Sequence, residues 1–140
     1  MQKIVTLVAL SMLMAGCVSN SKVSVNSDQL QHHRFVLESV NGKPFPASKN
    51  PPELSFGEKM TVSGKMCNQF SGEGKLSDGE LKVKEMAMTR MMCADPQLNE
   101  LDNTISTMLR KGAQVDLTAN QLTLATAEQT LTYKLSDLVQ

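Results

Sequence analysis

Sulfur is the first chemistry this sequence offers. The chain carries three cysteines, ten methionines and two histidines. Met60, Met66, Met86, Met88, Met91 and Met92 gather along the chain around Cys67 and Cys93. Soft thiolate and thioether ligands of this kind select Cu(I). Methionines at alternating positions are, however, more often fillers of irregular core space. His32 and His33 are adjacent, so on a strand they point to opposite faces and do not readily chelate together. A small-ligand or soft-metal (copper) carrier therefore stands as the second reading, with no metal site assigned. Nucleophilic chemistry has less to work with. Neither G-x-S-x-G nor H-E-x-x-H occurs. Glu53, Glu58, Glu73 and Asp78 stand near turns, where solvated charge is their ordinary role. Gly72-x-Gly74 lacks the further glycine and the helix that a phosphate loop needs. No catalytic residue and no cofactor are assigned, and the chain is expected not to be an enzyme.

Cys17 has a separate reading. The chain opens with Lys3, a largely apolar run from Ile4 to Met14, and the small pair Ala15-Gly16. That order of charge, apolar run and small residues makes residues 1–16 a secretory signal peptide. The run is shorter than the roughly 20 residues that cross a bilayer. Met14-Ala15-Gly16-Cys17 resembles the bacterial lipobox, although Met14 stands where leucine is commonest. The resemblance implies that the Cys17 sulfur receives a diacylglycerol, that cleavage falls just before it, and that the new amino group is acylated. One acyl chain holds a protein marginally, whereas two or more anchor it stably. Val18 follows where retention in the inner membrane would want Asp. The expected location is the outer membrane, facing the periplasm, and the first expected partner is that membrane through the N-terminal lipid.

Composition narrows the other partners. Basic and acidic residues number 14 each, giving a net charge of zero. With no basic block, nucleic acid is excluded as a partner. Four Phe, one Tyr and no Trp leave little material for stacking on sugars or bases.

The elements that must position these residues follow from turn chemistry and periodicity. Residues 17–29, small and polar after Cys17, read as a flexible tether, and the folded domain is set at 30–140. "RFVLESVNGKP" alternates around Phe35 and Leu37 and then meets Asn41-Gly42, a strong hairpin signal. Pro44, Pro46, Pro51 and Pro52 hold an irregular connection. "ELSF" and "MTVSG" read as strands, and "GEGKL" and "ELKVK" as a hairpin about Ser77-Asp78-Gly79. "EMAMTRMM" reads as a buried strand. Asp95-Pro96 predicts an N-cap and first helical residue. Leu98, Leu101, Ile105, Met108 and Leu109 continue at helical spacing to Arg110-Lys111-Gly112. "QVDLT", "QLTLAT" and "TLTYKL" alternate as an antiparallel meander. The fold class is α+β: mainly antiparallel β-sheet, partly rolled or barrel-like, with one main α-helix packed on it.

Two stretches carry a family resemblance. "SGKMCNQFSGEG" at 63–74 and "MAMTRMMC" at 86–93 resemble the META/HslJ family of bacterial envelope and secreted proteins. Gly64, Cys67, Asn68, Gly72, Met88, Thr89 and Cys93 fall on the family's pattern, and Phe35 stands where its tryptophan is frequent. The resemblance implies stress induction by heat and a link to novobiocin tolerance, and implies no catalytic chemistry. With Cys17 taken by lipid, Cys67 and Cys93 are the two cysteines left in an oxidising compartment, and they are expected to pair. The glycines suit bulges and tight bends, and Asn68 suits bonds to nearby backbone. An envelope protein of unknown identity is the expected partner, met through the "CNQFSGEG" loop or the proline-rich stretch 43–52. A deep apolar pocket would favour the carrier; a filled core with an exposed patch would favour contact.

Overall fold

A computed structural model describes residues 25–138. The leader and Cys17, with its expected lipid, lie outside the described residues. A four-residue helix α1 (Ser27–Leu30) is followed by strands β1 (His33–Val40), β2 (Lys43–Pro44), β3 (Glu53–Phe56) and β4 (Thr61–Lys65). Then come β5 (Gln69–Ser77), β6 (Glu80–Met88), the main helix α2 (Pro96–Lys111), and β7 (Ala113–Thr118), β8 (Gln121–Ala125) and β9 (Thr130–Leu138). Every pairing is antiparallel, and from β3 to β9 each strand pairs with the next in sequence. β1 pairs with β3 on one side and β9 on the other, which closes eight strands into a barrel. Closure removes the sheet edges that would otherwise invite another chain. The tiny strand β2 folds back on the end of β1.

Local chemistry explains the turns. Asn41 and Gly42 have φ of 51° and 83°, and Asp78 and Gly79 have 52° and 80°. Both central residues of each turn are thus left-handed, as the type I′ hairpin requires. Asp95 caps α2 by accepting from the Gln97 N–H at 2.9 Å, with Pro96 at the first helical position. Gly112, at φ 108°, ends it.

Alternation fills the barrel. Phe35 and Leu37 of β1, Leu54 and Phe56 of β3, Leu122 and Leu124 of β8, and Leu131 and Tyr133 of β9 are all buried. Each fully buried side chain of this size contributes about 1.5–3 kcal/mol. β6 and β7 share only two register pairs, Glu80↔Gln114 and Leu81↔Ala113. The helix that joins them in sequence packs against β6. Leu101, Ile105, Met108 and Leu109 of α2 enter the same core as the strands.

Two expectations change. The ordered fold begins before Leu30: Asn26 forms a capping box with Gln29, and Val25 is buried with Leu30. Residues 25–29 therefore belong to the domain rather than to a tether, because Val25 supplies apolar surface and Asn26 a cap. The stretch "EMAMTRMM" is not one buried strand. β6 stops at Met88, and Met91 and Met92 are 66% and 85% exposed. The Thr89 N–H still reaches the Gln69 carbonyl of β5, but Met91 is captured by a side chain instead of a partner strand, as described next.

Candidate functional site

The family-pattern residues converge where the β4–β5 connection meets the segment leading into α2. Asn68 sits in that connection, 5% exposed, and Asp102 faces it from the helix, 7% exposed. Asp102 Oδ1 accepts the backbone N–H of Cys67 at 3.0 Å and of Asn68 at 2.9 Å. Its Oδ2 accepts from Asn68 Nδ2 at 2.7 Å. The same amide group donates to the Met91 carbonyl at 2.9 Å. Asn68 Oδ1 accepts from the Met91 N–H at 2.6 Å and from the Thr89 hydroxyl at 2.8 Å. The Thr89 oxygen in turn accepts the Gln69 N–H at 3.1 Å. Both donors and both lone-pair directions of the asparagine amide are thereby used.

A covalent tie runs parallel to this network. Cys67 and Cys93 form a disulfide with Cα atoms 5.9 Å apart. Asn99, one turn into α2, holds Cys93 at both backbone atoms: its Oδ1 accepts the N–H at 3.0 Å and its Nδ2 donates to the carbonyl at 2.9 Å. A buried carboxylate is costly unless hydrogen-bonded. Here backbone and amide N–H groups supply the bonds to the charge. Chemically the cluster is a clasp: its polar atoms point at each other and no lone pair is aimed at a reacting atom.

The remaining family-pattern residues permit close packing around it. At Gly64 an added Cβ would lie 2.6 Å from the Glu53 carbonyl oxygen and 2.6 Å from Phe70 Cζ. At Gly72 it would lie 2.6 Å from Val83 Cγ1 and 2.8 Å from the Lys84 carbonyl oxygen, beside a register shift between β5 and β6. Met88 is partly buried against the core and pairs in register with Phe70.

The sulfur-ligand set does not assemble. Met60 and Met66 are buried in the core, Met86 and Met88 are partly buried, and Met91 and Met92 face outward. Cys67 and Cys93 hold each other and present no thiolate. Among the described residues, no group of three or more His, Cys, Asp or Glu could hold a metal ion. A continuous cluster of buried apolar side chains lines the barrel interior. Tyr133 is fully buried among them, with a hydroxyl that has no hydrogen-bond partner. Burial pushes its ionisation well above the ordinary tyrosine value. Among the described residues, hollows open at the surface. One of about 570 Å³ lies between residues 88–92 and α2, directly outside the clasp. Another is lined by Phe45, Pro46 and Pro51 over β1 and β9.

Asp102 and Asn99 are the residues that sequence reasoning missed. Asp102 carried a signal, since it lies four residues after Leu98 and three before Ile105, on the apolar stripe of the helix. Among the described residues, no helix is long and apolar enough to cross a membrane.

Comparison with known proteins places these features. A model of the META domain matches residues 28–137. The chain is 76% identical over 139 residues to Heat shock protein HslJ of Escherichia coli (strain K12), covering 99% of each chain. An NMR structure of a protein 80% identical in sequence superposes with a TM-score of 0.75, covering 79% of this chain and 95% of that one. An NMR structure of a protein from Burkholderia xenovorans, 21% identical, gives a TM-score of 0.62 over 88% of this chain and 99% of that one. This last likeness is one of fold.

Proposed function

The chain belongs to the META domain family, and from that premise we propose a heat-shock-associated envelope lipoprotein that performs no catalysis and works by contact with another envelope protein. The observation that carries this reading is the saturated clasp. Cys67, Asn68, Thr89 and Cys93 spend their polar and sulfur chemistry on one another, on Asp102 and on local backbone. A continuous apolar core and outward-facing Met91 and Met92 support a contact surface over a carrier cavity. The name of the Escherichia coli relative supports the link to heat stress, and tolerance of novobiocin follows by family resemblance. Cys17, lipidated behind a cleaved leader, would hold the domain on the periplasmic face of the outer membrane.

Crosslinking in heat-stressed intact cells, read by mass spectrometry, tests the contact reading. A reproducible envelope protein crosslinked to the chain is the expected outcome, and none above background removes the reading. A Cys17→Ser variant run alongside should leave the membrane fraction or accumulate uncleaved. Fractionation like the parent would end the lipoprotein assignment.

A further inference from the structure

The hollow outside the clasp has an unbalanced lining. Arg90 and Arg110 border it and are exposed. Among the described residues neither guanidinium makes an ion pair. The one carboxylate at its floor is Asp102, buried, with both oxygens already accepting N–H groups. Asn103 and Ser106 complete the facing side of α2 without charge. Beside Arg90, Met91 and Met92 stand out into solvent, the exposed large apolar side chains among the described residues. The backbone that presents them is not loose: Met91 is held at its N–H and its carbonyl by Asn68.

We infer that this hollow docks a linear, acidic segment of a partner protein, with carboxylates on Arg90 and Arg110 and an apolar side chain against Met91 and Met92. The inference rests on the contact reading above and names its surface. Guanidinium groups pair with carboxylates through two parallel N–H bonds and are more weakly hydrated than the lysine ammonium. Methionine adapts its shape to varied apolar side chains. A rigid backbone beneath both lowers the ordering cost of binding. The carboxylates it would take come from another chain. Residues 17–24 carry Lys22 and no acidic residue.

The test pans a displayed library of short linear peptides against the full-length chain, with the double variant Arg90→Gln/Arg110→Gln as counter-selection. Enriched sequences should carry carboxylates flanking Leu, Met or Phe. A synthetic peptide of that sequence, followed by fluorescence anisotropy, should lose affinity about tenfold or more on the double variant. It should also weaken with Met92→Ser, and with added salt. Both positions are exposed, and circular dichroism confirms that the variants fold. No enrichment, enrichment of neutral or basic peptides, or undiminished binding to the double variant overturns the inference. Sedimentation showing a dimer that the double variant dissolves would assign the hollow to a second copy and overturn it likewise. Each of these failures leaves the contact reading standing, which only the crosslinking outcome removes.

Discussion

Replacing Asp102 by alanine should unfasten the clasp without touching the disulfide. The carboxylate serves three buried donors: the N–H groups of Cys67 and Asn68 and the amide of Asn68. A buried donor left unpaired costs about 1–3 kcal/mol. Two offsets reduce the sum. Removing the carboxylate also removes its own desolvation penalty, and water can reach part of the vacated space from the adjoining hollow. The expected loss is therefore about 3–5 kcal/mol, a large share of the roughly 5–15 kcal/mol that holds a domain of this kind. Asp102→Asn is the control on shape. Its oxygen can still accept the two backbone N–H groups, but its NH₂ would face the Asn68 NH₂, donor against donor. It should lose about 2–3 kcal/mol, less than alanine. The assay is urea unfolding followed by far-ultraviolet circular dichroism, because the chain has no tryptophan and one tyrosine. A double cycle with Asn68→Ala should show coupling of about 1–3 kcal/mol. A loss below about 1 kcal/mol for Asp102→Ala, at unchanged denaturant slope, would refute the clasp as a source of stability.

Tyr133 and the disulfide give two further measurements. Burial raises the Tyr133 ionisation above its unfolded value of about 10. The neutral phenol is thus favoured by folding, and its contribution is intact below about pH 10 and lost as pH rises beyond it. With one tyrosine in the chain, near-ultraviolet tyrosinate absorbance should stay silent until the fold is lost, and its appearance over native circular dichroism would show access to the barrel interior. Opening Cys67–Cys93, which spans 26 residues, should cost about 3.5 kcal/mol on a chain-entropy treatment. An unchanged urea midpoint for the Cys67→Ser/Cys93→Ser variant would show that the clasp alone sets the closure.

Local signals were readable in the chain and distant ones were not. Asp95-Pro96 and the spacing of Leu101, Ile105 and Met108 announce α2, and Asn41-Gly42 and Asp78-Gly79 announce their hairpins, because each depends on residues a turn apart. The pairing of β1 with β9 depends on residues at opposite ends of the chain, so the sequence supported a partly rolled or barrel-like sheet without naming the strands that close it. The methionine-rich stretch misled for a physical reason. Alternation predicts a buried strand only if the backbone has a strand to pair with, and Asn68 takes the Met91 N–H and carbonyl instead. The cysteine pair and the asparagine were visible as a pattern. Their common acceptor was visible only as an acid out of place on an apolar helix face.

The β1–β9 closure also carries a kinetic consequence. β1 is among the first segments of the domain to be made, and β9 is the last. Its outer ladder therefore waits for the rest of the domain, while β3 can pair with it early. Contacts of such high sequence separation belong to the slow class of folding events. Until the final strand arrives, one side of β1 is an open template carrying Phe35 and Leu37, so the interval before closure, rather than the finished barrel, is when this chain is most open to aggregation.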